Sequence, residues 1–134
     1  MHKYLDEAGI ADGNRPWTWD EEDGERAERW KEEREIYGFD SRETWCLFET
    51  FYLWLYERLR MFKDYNIIDL SYHKFNYNGN EYTQGQLIDM MLERLELYFS
   101  DKYDEFNPML DDSLYERVHE IEKIWSVVIP AMWW

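Results

Sequence analysis

The sequence predicts a mainly α-helical fold: a compact four-helix domain with a short β-hairpin between helices 2 and 3. In four stretches, apolar residues recur at spacings of three and four, which is typical of amphipathic helices. Each stretch also follows a Ser, Thr or Asp that has Glu or Gln three residues later, the capping-box pattern. The 134 residues suit one domain, predicted at 17–134 after an N-terminal arm at 1–16.

The first helix is predicted between Thr18, which forms a capping box with Glu21, and Gly38 at its end. Five glutamates recur along it at helical spacing: Glu21, Glu25, Glu28, Glu32 and Glu35. At about 100° per residue, they cover only about 80° of the helical wheel. The opposite side carries Trp19, Ala27, Trp30 and Tyr37, so the helix is amphipathic with a narrow aromatic seam.

The second helix, predicted at 41–64, begins at the capping box of Asp40 and Glu43. One face carries large apolar residues at helical spacing: Trp45, Phe48, Tyr52, Leu55, Leu59 and Phe62. Phe51, Trp54 and Met61 add apolar surface on other sides. Because a helix that is apolar over most of its circumference is usually buried, this helix is predicted to be the central one.

The hairpin is predicted within 73–83, where Asn78-Gly79 separates two short alternating runs. The two remaining helices are predicted at about 84–100 and 113–129, from capping boxes at Thr83/Gln86 and Ser113/Glu116. Pro130 is expected to end the last helix, since proline has no backbone N–H to continue it.

The net charge limits the class of partner. Acids outnumber bases 30 to 15, which gives a formal charge of −15. This charge argues against direct contact with nucleic acid or anionic membranes, because phosphates are repelled, and it favours a basic protein as partner. Residues 1–40 contain 13 acids and 6 bases, and residues 93–123 contain 10 and 4, against 7 and 5 in residues 41–92. The charge is therefore concentrated on the outer helices.

Targeting signals are not expected. The start MHKYLDEAGIADG has no apolar core of signal-peptide length, and the longest nearly apolar run, 124–134, is too short to span a bilayer. The single cysteine, Cys46, excludes an internal disulfide framework. A cytoplasmic location is expected.

We expect no catalytic, cofactor or metal site, because glycine-rich phosphate loops, nucleophile elbows and zinc-type clusters do not occur. Glu116 and His119 have the spacing of a carboxylate-bridged metal-ligand pair, but such sites need a second copy. An exposed Glu–His pair is the favoured interpretation. The protein is predicted not to be an enzyme.

Trp133 and Trp134 are candidate partner-binding residues. Chain termini are usually frayed and polar, so two tryptophans there should either dock into the domain or fill a pocket of a partner. Docking is the commoner outcome, and both alternatives stay open.

The five glutamates allow two interpretations. The pairs Glu22–Arg26, Glu25–Arg29 and Glu28–Lys31 have the favoured order for helix ion pairs, which supports a solvated face. Alternatively, five charges over about 21 Å of helix have a line density similar in order to one DNA strand, with a charge every ~3.4 Å. A rigid acidic helix can then occupy a groove shaped for a phosphate backbone.

A sequence pattern across residues 37–100 adds a family likeness. It contains a Gly-aromatic pair, a Trp-x-Leu and a helix ending in Arg-Leu-x-x-Phe: Gly38, Phe39, Trp45, Leu47, Arg58, Leu59 and Phe62. With QLIDMMLERLELYF downstream, this pattern resembles small hypothetical proteins common in tailed-phage genomes. Phe48 and Glu57 depart from it, standing where the family usually has an acid and often a proline. The resemblance implies a phage origin and no particular activity.

Together these features predict a phage-encoded acidic binding protein that inhibits or modulates a host nucleic-acid-handling protein. Small acidic phage proteins often bind host machinery, including CRISPR and restriction nucleases, so DNA mimicry and anti-CRISPR or anti-restriction activity in the host cytoplasm are expected. The alternative is a structural or assembly protein that self-associates, for example as a homodimer, through aromatic surfaces.

Overall fold

The computed structural model describes residues 1–19, 24–67, 69–104 and 106–132. Its helices and strands are α1 (Lys3–Glu7), α2 (Glu25–Tyr37), α3 (Leu47–Tyr65), β1 (Lys74–Tyr77), β2 (Asn80–Thr83), α4 (Gln84–Tyr98), α5 (Asp112–Val118) and α6 (Glu120–Val128). Short 3₁₀ turns lie at Asp12–Asn14, Pro16–Thr18, Ser41–Thr44 and Ile129–Ala131. The predicted fold class is confirmed: the protein is mainly helical, with a hairpin after the second long helix.

The chain forms two compact units, residues 1–55 and residues 56–134, and the boundary falls inside α3. Residues 1–16 belong to the first unit, where α1 buries Tyr4 and Leu5 and the following turn buries Ile10. The predicted division into an arm at 1–16 and a domain at 17–134 stays a prediction, because packing does not show which segments fold independently.

The first predicted helix begins later than its sequence pattern indicates. Thr18 is the last residue of a 3₁₀ turn, and its hydroxyl donates hydrogen bonds to the carbonyls of Asp12 and Arg15, at 2.7 and 2.8 Å. Trp19 then has an extended backbone. The helix itself, α2, starts at Glu25, so the predicted start at Thr18 is wrong.

Helix α3 confirms one prediction and corrects another. The capping box of Asp40 and Glu43 is present, but it opens a 3₁₀ turn that precedes α3. Leu55 is buried, whereas Trp54 and Met61 are 43% and 48% exposed. The helix is therefore buried along one side only, and the prediction of a central position is wrong in that respect.

In the second unit, the hairpin has the predicted turn. Asn78 and Gly79 both have positive φ, 50° and 78°, as a two-residue turn of this hand requires. Helix α4 begins at the predicted capping box of Thr83 and Gln86 and packs against β2, α5 and α6. The buried apolar residues of α4 and of the two helices after it are Leu87, Ile88, Met91, Leu92, Leu95, Val118, Ile121, Ile124 and Val128.

The fourth predicted helix is divided at His119 into α5 and α6. Its start also differs from the prediction, because Asp111, and not Ser113, caps the first turn: the Asp111 carboxylate accepts hydrogen bonds from the Ser113 N–H and hydroxyl, at 2.7 and 2.6 Å. Aspartate caps this position well because its carboxylate accepts hydrogen bonds and favours the positive end of the helix dipole.

Candidate functional site

Four of the predicted partner-binding residues lie along one side of α2. Glu25, Glu28, Glu32 and Glu35 are all exposed, and we refer to these four as the α2 stripe. At 1.5 Å of rise per residue, the stripe is about 15 Å long and covers about 80° of the helix surface. The other three predicted residues, Glu21, Trp133 and Trp134, lie outside the described residues.

The side of α2 opposite the stripe is held by a buried tryptophan. Trp30 is 2% exposed and lies about 180° around the helix from the centre of the stripe. Two guanidinium groups face its ring, Arg42 at 4.4 Å and Arg26 at 5.0 Å from the ring centroid. Burial of a large aromatic with cations against its ring stabilises this orientation, so the stripe faces outward. Of the predicted aromatic seam on α2, Tyr37 is 66% exposed.

A buried carboxylate fixes the end of α2 to the turn that follows. Asp40 is 1% exposed, and its Oδ2 accepts hydrogen bonds from Arg34 at 2.6 Å and Arg42 at 2.9 Å. Arg42 also donates to the carbonyl of Trp19 at 2.8 Å. Burial acts to raise the pKa of Asp40, but the hydrogen bonds from Arg42 and Arg34 outweigh it and hold that pKa below its usual value.

Two further features complete this end of the helix. Glu33, which is not part of the stripe, accepts a hydrogen bond from the Ser41 N–H at 2.7 Å. Gly38 ends the helix with φ +85°, a left-handed conformation that glycine adopts without strain, and its N–H donates to the Arg34 carbonyl at 3.0 Å. The acidic residues of α2 therefore divide into Glu33, which holds the turn, and the stripe, which does not.

Two of the three expected ion pairs are absent from the described part of α2. Over the ranges that the structure describes, no salt bridge joins Glu25 to Arg29 or Glu28 to Lys31, and Arg29 lies instead 3.6 Å from Glu33. Glu22 of the third expected pair lies outside those ranges. The stripe thus keeps more uncompensated charge than the sequence predicts. Its first two glutamates also lie in the first turn of α2, where the helix dipole favours negative charge.

Cations nevertheless border the stripe. Arg29 and Lys31 line, with the four glutamates and Gly24, a shallow depression along this side of α2. A phosphate backbone carries no cations of its own, so the α2 stripe differs from one at both flanks. Helical periodicity alone places Arg29 and Lys31 beside the stripe, so these two cations could have been identified from the sequence.

The sequence pair Glu116 and His119 lies at the junction of α5 and α6. The Nδ1 of His119 lies 3.3 Å from the Glu122 carboxylate, and its Nε2 lies 3.3 Å from the Tyr103 hydroxyl. In the described part of the chain, no group of three or more His, Cys, Asp and Glu side chains is placed to hold a metal ion.

Comparisons with family models, with curated proteins and with solved structures give no match. The resemblance to tailed-phage proteins therefore stays a prediction from residues 37–100. None of the described helices is both long enough and apolar enough to cross a lipid bilayer.

Proposed function

We propose that this protein is a non-enzymatic binding protein whose α2 stripe engages a basic surface of another protein. The observation that carries the proposal is the exposure of Glu25, Glu28, Glu32 and Glu35 along one side of a helix, without salt bridges in the described part of the chain. Charges that are not engaged within the fold remain available to a cationic partner.

The anchored side of α2 supports the same proposal. Trp30, Asp40 and Glu33 hold the helix from the other side, so the stripe is presented on a rigid element. A preorganised charged surface loses less conformational entropy on binding and gives selectivity through charge complementarity.

The proposed biological setting rests on the sequence resemblance alone. In it, the protein is phage-encoded, and the basic partner is a nucleic-acid-handling protein of the host cytoplasm, such as a CRISPR or restriction nuclease. The α2 stripe would then occupy part of a groove that binds a phosphate backbone. The bordering Arg29 and Lys31 would select among such grooves, because a groove with acidic residues at its edges accepts them better than a uniformly basic one.

Equal changes of net charge at different places test the proposal. A stripe variant carries Glu28→Lys, Glu32→Lys and Glu35→Lys, and a control variant carries Asp101→Lys, Asp112→Lys and Glu116→Lys. Each reversal adds two positive charges, so both variants change from −15 to −9. All six side chains are exposed.

Each protein is immobilised and exposed to a bacterial lysate at low and high salt, with and without added duplex DNA, and the bound proteins are quantified by mass spectrometry. We expect basic nucleic-acid-binding proteins to be retained by the wild type and by the control variant, and not by the stripe variant. Retention should fall at high salt and on addition of DNA. Equal loss of retention in both variants would show that only net charge matters, and the proposal would be wrong.

A further inference from the structure

The end of α2 carries three large apolar side chains that the fold leaves exposed. Ile36 is 64%, Tyr37 66% and Phe39 47% exposed. The ring centroids of Tyr37 and Phe39 lie 6.3 Å apart, and Gly38 between these residues ends the helix. We refer to Ile36, Tyr37 and Phe39 as the α2 end. Single exposed apolar residues are common on proteins, whereas a group of them bordered by polar residues marks an interaction surface.

Ile36 continues the α2 stripe. It follows Glu32 by four residues, which places it about 6 Å farther along the helix axis and about 40° around the helix. Its angular offset from Glu25 is only about 20°. A partner surface that lies along the stripe therefore reaches Ile36 in the same contact.

The stripe and the α2 end need different chemistry in a partner. The glutamates attract cations, and salt weakens that attraction. An apolar side chain is stabilised by removal from water, which does not depend on attraction between charges. In protein interfaces, a few large side chains in apolar pockets carry most of the affinity, while the charges around them set the association rate and the specificity. The α2 end therefore suits an apolar pocket beside the cations that the stripe attracts.

Charge complementarity identifies the owner of that pocket. A symmetric contact through Ile36 with a second copy of this chain places Glu32 and Glu35 of both copies in one interface, and like charges repel. Each copy also carries a net charge of −15. An anionic membrane surface is repelled in the same way. A cationic protein surface is attracted, so it is the occupant that suits both the stripe and the α2 end.

We propose that the basic protein surface engaged by the α2 stripe has an apolar pocket at one end, and that the α2 end fills this pocket. The proposal rests on the function proposed for the stripe, because one contact uses both features. It narrows the class of partner, since a surface that is basic throughout would leave the α2 end in water. The pocket also fixes the direction in which α2 lies, which four like charges alone do not.

A peptide library supplies a defined probe. Each peptide contains a fixed segment of alternating arginine and glycine, followed by a short random segment, and the library is selected for binding to the immobilised full-length protein. Against the wild type, we expect leucine, isoleucine, phenylalanine and tryptophan to be enriched in the random segment. Against Ile36→Gln, which keeps a long side chain and a good helix former, this enrichment should be lost.

The affinity of one enriched peptide is then measured by fluorescence anisotropy over a series of salt concentrations. Ile36→Gln should raise the dissociation constant at least about tenfold at every salt concentration, because the complex loses a buried apolar side chain and no charge. Its salt dependence should match that of the wild type. Ile67→Gln is the matched control, since Ile67 is 82% exposed in the second unit, and it should leave the dissociation constant unchanged. Circular dichroism verifies that both variants are folded.

The stripe variant, with Glu28→Lys, Glu32→Lys and Glu35→Lys, separates this proposal from the function proposed for the stripe. It should bind neither the enriched peptide nor the arginine–glycine segment alone. If the stripe variant fails to bind but Ile36→Gln binds the enriched peptide as tightly as the wild type, or if no apolar residue is enriched, the pocket is wrong and the function of the stripe stands. If the stripe variant binds as the wild type does, the function proposed for the stripe is wrong, and the pocket with it.

Discussion

Replacing the buried carboxylate at the end of α2 should destabilise the first unit strongly. In Asp40→Ala, Arg42 loses its hydrogen bonds to both carboxylate oxygens, at 3.0 and 2.9 Å, while the arginine itself is only 5% exposed. A buried charge left without its partner typically costs ~3–5 kcal/mol. The pair of Asp40 with Arg34 adds little to this loss, because the Arg34 side chain is 44% exposed and solvent screens it.

The loss is measured by urea unfolding followed by circular dichroism, with extrapolation to zero denaturant. Asp111→Ala is the matched control, since Asp111 also caps a helical turn but is exposed, and its carboxylate accepts hydrogen bonds from the N–H and the hydroxyl of Ser113. Asp40→Asn keeps a capping oxygen and removes the charge. The free energy of unfolding that it loses should therefore lie between the losses of the two alanine variants. Equal losses for Asp40→Ala and Asp111→Ala would refute the reasoning, because only the cap would then matter.

Three further outcomes are expected. The pKa of Asp40 in the folded state lies below its usual value of 3.8. The stabilisation by the charged carboxylate is therefore complete at pH values above 3.8 and is lost as the pH falls through the folded-state pKa. The unfolding free energies of the wild type and Asp40→Asn should accordingly converge in acid. Leu55→Ala should cost ~2–5 kcal/mol in urea unfolding, because Leu55 is 1% exposed, and Trp54→Ala clearly less, because much of that ring already contacts water. Burial and the hydrogen bond to Glu120, at 2.8 Å, raise the pKa of Tyr77 from 10.0 to about 12, so the wild type should lose more stability between pH 10 and 12 than Tyr77→Phe does.

Local sequence signals predicted much of the fold because the interactions behind them are local. The capping boxes at Asp40/Glu43 and Thr83/Gln86 each join residues three apart, and both are present. The hairpin at Asn78-Gly79 requires only two residues that tolerate positive φ. The capping box at Ser113/Glu116 failed because Asp111, two residues earlier, offers a competing acceptor with a negative charge.

Contacts between distant residues could not be predicted in this way. The hydrogen bond from Arg42 to the Trp19 carbonyl and the one from Ser41 to Glu33 join segments that only the fold brings together. Helix α3 shows the same limit, since helical periodicity groups Trp54 with Met61 and Leu55 with Leu59 but does not say which group is buried.

The net charge alone does not distinguish a binding surface from a means of staying in solution. A protein that exposes large apolar side chains, such as Leu47, Trp54 and Met61, also needs charge elsewhere to remain dispersed, and a net charge of −15 serves that purpose wherever the acids lie. The acidic residues differ in whether they form ion pairs within the fold. Glu93 lies 3.0 Å from Arg94 and 3.1 Å from Arg117, whereas the stripe glutamates form no such pair within the described ranges. A role in binding therefore depends on where the acidic residues lie, whereas a role in solubility depends on the net charge. Charge reversals that are equal in number but differ in position separate these two roles.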